Sequence, residues 1–119
     1  MSYLKLKLAG IYKIQIGDYY YVGKSVDIMG SRWNSHYTLL KLNKHHSPKL
    51  QDKFNELGVT RMNFSVLEYI SITEYKKVSQ LKGKALTAAF NKLLLYREKY
   101  WMSKYSINFC LNKDNKHFS

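Results

Sequence analysis

The chain has 119 residues, a length that suits one compact domain, and its 45% hydrophobic content is enough for a single modest core. Lys and Arg total 20 against 8 Asp and Glu, a formal charge of +12 that opposes compaction unless a polyanion is the partner; nucleic acid comes first and an anionic membrane surface second. No apolar run approaches the roughly 20 residues of a spanning helix, residues 1–8 lack a signal-peptide core, and the one cysteine, Cys110, excludes an intramolecular disulfide and a multi-cysteine zinc site.

There is no internal repeat, low-complexity tract or Pro/Ser-rich linker, so a single domain over 1–119 is expected. Residues 8–16 are β-prone and alternate after Gly10. Gly17-Asp18 reads as a two-residue hairpin turn, with Tyr19 to Val22 as the return strand closed by Gly23. A tight turn pairs Ile16 with Tyr19 and Ile14 with Tyr21. Side chains alternate along a strand, so Tyr12, Ile14 and Tyr21 share one face, with the two phenols as diagonal neighbours. A helix is predicted over about 27–40, capped by Asp27, with Trp33, Tyr37 and Leu40 as its apolar stripe. Arg32 and His36 are four apart and share a face of that helix.

Ser47-Pro48 marks the start of the next helix, because serine is a good cap and proline fits the first helical position. Leu50, Phe54 and Leu57 form its buried stripe, and Gly58 stands where a left-handed terminal residue is wanted. A third strand is expected over 62–70. Thr73-Glu74 opens a helical stretch broken at Gly83, and a long helix follows over about 85–104, with Leu86, Phe90, Leu94 and Trp101 inward. The tail, 106–119, reads as a short extended piece and a polar end. The expected class is α+β: a small three-stranded antiparallel sheet flanked by helices. Most of the 11 tyrosines have packing as their ordinary reading.

Gly10-Ile11-Tyr12 followed by Tyr21-Val22-Gly23 resembles the paired signature of the GIY-YIG nucleases, with Val for Ile in the second triplet. Arg32-x-x-x-His36, then His45 to Gln51, Phe54-x-x-x-Gly58 and Arg97-Glu98-x-x-Trp101 follow in the order seen in catalytic domains of phage intron-encoded homing endonucleases. The resemblance spans about residues 10–112. It differs from the family in a basic stretch, roughly 73–92, carrying Lys76, Lys77, Lys82, Lys84 and Lys92, and in ending soon after Asn112, where homing enzymes usually append a DNA-binding region.

This resemblance implies a metal-dependent DNA endonuclease, homing-type or stand-alone, using one Mg²⁺ or Mn²⁺ per active site. It implies DNA as partner, no membrane, action as a monomer or homodimer, and the cytoplasm of a bacterial or phage-infected cell. Glu98 becomes the metal ligand, since Mg²⁺ takes one or two carboxylates plus waters; from the residues alone a helix-surface ion pair is the ordinary reading. Tyr12 becomes the proton acceptor from water, His36 its partner, and Tyr21 a group that positions water or phosphate. Arg32 holds the phosphate, because a planar guanidinium makes paired bonds to phosphate oxygens.

His45 matches the second family histidine, with His46 the adjacent alternative. Asn112 matches the C-terminal asparagine, with Asn108 as competitor. Gln51 and Lys49 belong to the helix pattern, in structural or phosphate-contacting roles. Lys24, Lys49, Lys76, Lys77, Lys82 and Lys84 are candidates for contact with nucleic acid. Two further readings stand beside the nuclease: a non-catalytic nucleic-acid-binding module on the same fold, and a basic RNA- or ribosome-associated protein whose tyrosines stack on bases. A zinc site from His36, His45, His46 and His117 lacks the cysteine pair or helical histidine spacing that would support it.

Overall fold

The computed structural model describes residues 9–26 and 29–112. The predicted hairpin forms with the expected register: β1 (Gly10–Ile16) turns at Gly17-Asp18 into β2 (Tyr19–Ser25), with Ile16 opposite Tyr19, Ile14 opposite Tyr21 and Tyr12 opposite Gly23. Gly17 takes a φ of +58°, the positive value such a turn requires. The return strand does not stop at Gly23; pairing continues to Ser25 opposite Gly10. Gly23 is therefore a position inside the strand, and its reason is steric, as shown below. The cap expected at Asp27 lies outside the described residues.

α1 (Met29–Lys41) and α2 (Pro48–Leu57) follow. Ser47 caps α2 as expected, its hydroxyl accepting from the Leu50 amide at 3.3 Å. Gly58 ends this helix at φ +83°, ψ 167°. That is not the left-handed helical conformation predicted, but an extended positive-φ one open essentially to glycine alone. A short 3₁₀ turn (Val59–Arg61) leads into β3 (Met62–Tyr69), which pairs antiparallel with β1. The strand order is β2-β1-β3, with β1 central. A bulge between Ile11 and Tyr12 shifts the register, so Ile11 faces Glu68 while Tyr12 faces Val66. At this point β3 runs so close that a Cβ on Gly10 would lie 2.0 Å from the Glu68 carbonyl oxygen. No residue larger than glycine fits there.

The second half of the chain begins with α3 (Ile72–Ser79), capped by Ser71 one turn before Glu74. Its end comes at Gln80, which adopts a left-handed conformation (φ +62°), three residues before the expected break. Gly83 instead opens α4 (Gly83–Met102). The basic stretch 73–92 thus forms α3 and the first half of α4, and Lys76, Lys77, Lys82 and Lys84 are all exposed. After α4, a 3₁₀ turn over Ile107–Phe109 precedes the extended tail; Cys110 bridges in parallel to Tyr20, and the Leu111 amide donates to the Tyr20 carbonyl at 2.7 Å. Residues 113–119, His117 among them, lie outside the described part.

The strand alternation divides the core. On one face Ile11, Tyr20 and Val22 pack with Phe90, Leu94 and Met102 of α4. On the other, Tyr12, Ile14 and Ile16 pack with Leu40 of α1 and Leu50 of α2, flanked by half-buried Tyr21, Trp33 and Phe54. The result is an α+β domain of three layers, helices on both sides of a thin sheet. Burial of these apolar faces, at about 25 cal/mol per Å², is its main stabilising term. No helix of the described residues is long and apolar enough to cross a membrane.

Candidate active site

The α1/α2 face of the sheet gathers most of the residues singled out in the sequence. Tyr12 is 1% exposed, and its ring passes over Gly23, where a Cβ would lie 2.3 Å from both the ring Cζ and the hydroxyl oxygen. The spacing of the two triplets has this physical meaning: the glycine of the second makes room for the tyrosine of the first. Phe64 stacks on the same ring from β3, with centroids 5.3 Å apart.

His36 rises from α1 between the two phenols. Its ring centroid is 5.5 Å from that of Tyr12 and 5.5 Å from that of Tyr21. The Tyr12 hydroxyl lies 2.6 Å from His36 Nε2, and His36 Nδ1 lies 2.6 Å from His45 Nε2. His45 is itself buried; its Nδ1 accepts from the Ser47 backbone N–H at 2.9 Å. His46, exposed, stacks on His45 with centroids 4.3 Å apart, and its Nε2 lies 3.2 Å from the Tyr21 hydroxyl. Both adjacent histidines therefore reach a site tyrosine, His45 through His36 and His46 directly.

Gln51 holds this loop. Its Oε1 accepts from the His45 amide at 3.0 Å, and its Nε2 donates to the Leu40 carbonyl and the Asn55 side chain, each at 3.0 Å. Of the two roles left open for Gln51, the structural one accounts for its amide groups. Lys49, next to it in sequence, is exposed. Asn112 acts in the same way on the sheet. Its Oδ1 accepts from the Val22 amide at 3.0 Å and its Nδ2 donates to the Val22 carbonyl at 2.7 Å, clamping β2 beside Tyr21. Asn108 stands exposed in the 3₁₀ turn.

Glu98 comes from α4, the helix that covers the opposite face. Its charge nevertheless acts on both phenols, raising the pKa of Tyr12 and of Tyr21. Lys24 and Lys99 act on it in turn. Among the described residues Glu98 has no hydrogen-bond or ion-pair partner; the neighbouring Arg97 is engaged instead with Glu68, at 2.9 Å. The expected alternative, a helix-surface ion pair, thus falls to Arg97. The same Glu68 oxygen accepts from Trp101 Nε1 at 2.8 Å. One carboxylate on β3 therefore pins α4 on both sides of Glu98, a role the sequence did not reveal.

Electrostatics follow from burial and neighbours. Burial, and then the Tyr21 charge, push the Tyr12 phenol well above its usual range, while the Arg32 guanidinium pulls it down by charge and by hydrogen bonding. Tyr21 is raised by burial and by Glu98, and lowered by Arg32. His36 is lowered to about 3, first by burial and then by the positive charges of His45, Arg32 and His46. His45 is lowered to about 4 by burial and by His46. Burial also raises Glu98, against the lowering pull of Lys24 and Lys99. Arg32, exposed on the same helical face as His36, supplies positive charge to Tyr12, Tyr21 and His36 together.

A half-buried carboxylate with no hydrogen-bond or ion-pair partner among the described residues, whose charge reaches two phenols, is a hard oxygen donor of the kind Mg²⁺ and Mn²⁺ accept. Among the described residues no group of three or more His, Cys, Asp and Glu could hold a metal ion between them, so the zinc alternative has no cluster to stand on there. A Mg²⁺ site of one carboxylate and waters needs no such group.

No protein-family profile matches the chain, and no curated protein does. Two solved structures are similar to it. The catalytic domain of intron endonuclease I-TevI, as a mutant, is 26% identical with a TM-score of 0.68, over 94% of this chain and 99% of that one. The catalytic domain of homing endonuclease I-TevI is 28% identical with a TM-score of 0.66, over 89% of this chain and 98% of that one. The three-stranded sheet, the order of the motifs and this likeness across nearly the whole length agree: the chain has the fold of a GIY-YIG homing endonuclease catalytic domain and resembles that family.

Proposed function

We propose that this protein is a metal-dependent DNA endonuclease that hydrolyses phosphodiester bonds at the pocket formed by Tyr12, Tyr21, Arg32, His36 and Glu98. The observation that carries the reading is the convergence on two phenols of one guanidinium, one histidine and the charge of one unpartnered carboxylate. Only the charges of Lys24 and Lys99 offset the burial of this carboxylate, with no hydrogen bond or ion pair among the described residues, and desolvating a charge is costly.

The chain's own groups divide the work by chemistry. Arg32 offers a planar pair of donors to a phosphate and opposes the charge that builds there. Tyr12 Oη takes the proton of an attacking water once its own proton has left to solvent. Arg32 favours that ionisation and burial opposes it. Tyr21, with His46 at its hydroxyl, orients the water or a phosphate oxygen. Glu98 is the residue that would hold one Mg²⁺ or Mn²⁺, and that ion, when bound, supplies positive charge to the phosphate and lowers the pKa of its water. Lys24 and Lys49 stand near this pocket in sequence, and exposed Lys76, Lys77, Lys82 and Lys84 extend the basic surface toward a DNA backbone. Cutting both strands then takes two sequential events on a monomer or the two sites of a homodimer.

The test is supercoiled plasmid incubated with Mg²⁺, with Mn²⁺ or with excess EDTA, alongside branched, single-stranded and RNA substrates. Nicked or linear DNA is expected with either metal and not in EDTA. Cleavage that persists in EDTA removes the metal from the account. Binding without cleavage of any substrate leaves the non-catalytic nucleic-acid module as the function.

A further inference from the structure

The nitrogen atoms of His36 and His45 are joined in a row that starts at a main-chain amide. The Ser47 N–H can only donate, and it points at His45 Nδ1 from 2.9 Å. His45 Nδ1 must therefore carry no proton. A histidine bearing one ring proton must then hold it at Nε2. His45 Nε2 faces His36 Nδ1 at 2.6 Å, so His45 donates and His36 Nδ1 accepts. His36 in turn holds its proton at Nε2, which faces the Tyr12 hydroxyl at 2.6 Å.

No other arrangement satisfies every contact. A proton on His45 Nδ1 sets two donors against each other at Ser47. A doubly protonated His36 leaves His45 with no proton at all. A tyrosine that donates to His36 needs the proton on His36 Nδ1, which reverses the whole row and ends in the same conflict at Ser47. The low pKa of both rings, set by burial and by neighbouring positive charge, agrees with one proton on each.

We infer that His45 and the Ser47 main-chain amide are positioning groups that fix His36 as a hydrogen-bond donor to Tyr12 Oη, so that His36 supports the phenolate and does not receive the phenol's proton. The inference rests on the nuclease reading for its purpose, but not for its geometry. In this arrangement the Tyr12 oxygen receives the His36 N–H and the influence of Arg32. The phenol's own proton then points away from His36 Nε2. When it leaves, the bond from His36 remains and strengthens, because a charged acceptor binds a donor more tightly than a neutral one.

The direction of the row is set by α2. Ser47 is held as the helix cap by two bonds: its hydroxyl accepts from the Leu50 amide and donates to the Leu111 carbonyl at 3.1 Å. The Gln51 side chain holds the His45 main chain from the other side. The start of one helix thus decides the proton position on a ring carried by another.

The experiment is nitrogen NMR of the uniformly ¹⁵N-labelled wild-type chain, in which ring nitrogen shifts and two-bond couplings report the protonated nitrogen of each histidine. The expected result at neutral pH is a proton on Nε2 of both His36 and His45. A proton on Nδ1 of either ring overturns the inference, whether or not the protein cuts DNA. Two variants add a functional readout: His45→Gln keeps an N–H donor near the Nε2 position, and His45→Leu removes it. At equal folded fraction, the Gln variant is expected to retain at least about ten times the cleavage rate of the Leu variant. Equal rates for the two, in a nuclease whose wild type cuts, overturn the donor role. A wild type that cuts nothing fails the nuclease reading and leaves the proton assignment to the spectrum.

Discussion

Tyr12 lies directly opposite Gly23 in the β1–β2 register, and its ring occupies the space a side chain at Gly23 would need. The relationship joins the two sequence triplets through one contact. It predicts that Gly23→Ala displaces the Tyr12 ring from His36, since a Cβ there would sit 2.3 Å from the hydroxyl oxygen. Overpacking of this kind costs about 1–3 kcal/mol. Urea denaturation should show that loss, and DNA cleavage should fall further than stability alone explains. A Gly23→Ala variant with wild-type stability and rate contradicts the reading.

Glu98 gives a prediction with opposite signs for stability and activity. Its pKa is raised by burial, so its contribution to stability is present below the ordinary carboxylate pKa and lost as the pH rises through the folded value. At neutral pH the ionised side chain is a net cost. Glu98→Gln keeps the shape and removes the charge. The melting temperature of the metal-free protein at pH 7 should rise by a few degrees while cleavage is lost. A lower melting temperature would show that the carboxylate is compensated by protein groups.

Acid should weaken the fold in a defined window. His36 and His45 have folded pKa values of about 3 and about 4, below the ordinary 6.5. The unfolded chain therefore binds these protons first as the pH falls. Stability from the two rings is greatest above 6.5 and declines as the pH drops toward 4 for His45 and toward 3 for His36. Urea midpoints at pH 7.5 and 4.5 read this directly. The midpoint should be lower at pH 4.5, with a smaller drop in His45→Gln. Equal midpoints in the wild type contradict the buried neutral rings.

Glu68 should matter although its contacts are to Arg97 and Trp101 and not to the proposed reacting groups. One of its two carboxylate oxygens, Oε1, accepts from both Arg97 and Trp101, which flank Glu98 along α4. Glu68→Ala removes both bonds. Charge-assisted bonds contribute roughly 1.5–3 kcal/mol when well buried. With Glu68 and Arg97 side chains 28% and 26% exposed, the loss should sit at or below the lower end of that range. Cleavage should fall because Glu98 loses its fixed approach, and Glu68→Gln, which keeps an acceptor, should recover most of it.

The local chemistry of the chain was legible wherever a short rule decides the geometry. A two-residue turn fixes the hairpin register, and with it the common face of Tyr12, Ile14 and Tyr21. Ser47-Pro48 announces a helix start because cap and first-turn preferences act within three residues. In sequence Gly23 reads as a strand end, whereas in the structure it gives space to a ring eleven residues away and changes no direction. Gln80 taking a left-handed conformation in place of a glycine had no signal in the sequence. The row from Ser47 to Tyr12 was hidden for a different reason: it crosses one strand, one helix and one loop, and only packing brings those nitrogen atoms into line. Glu68 carries no signal in the sequence, because a carboxylate on a strand looks the same whether it meets water or pins a helix.

Glu98 is proposed to serve the chemistry and not the fold. Single-turnover cleavage of a susceptible DNA by the wild type and Glu98→Gln, in Mg²⁺ and with DNA binding measured on the same samples, tests it most directly. A rate at least about 100-fold lower in the variant, with binding within a few fold of wild type, is the result expected for a lost metal ligand worth several kcal/mol in the transition state. Equal single-turnover rates in the two proteins would contradict it.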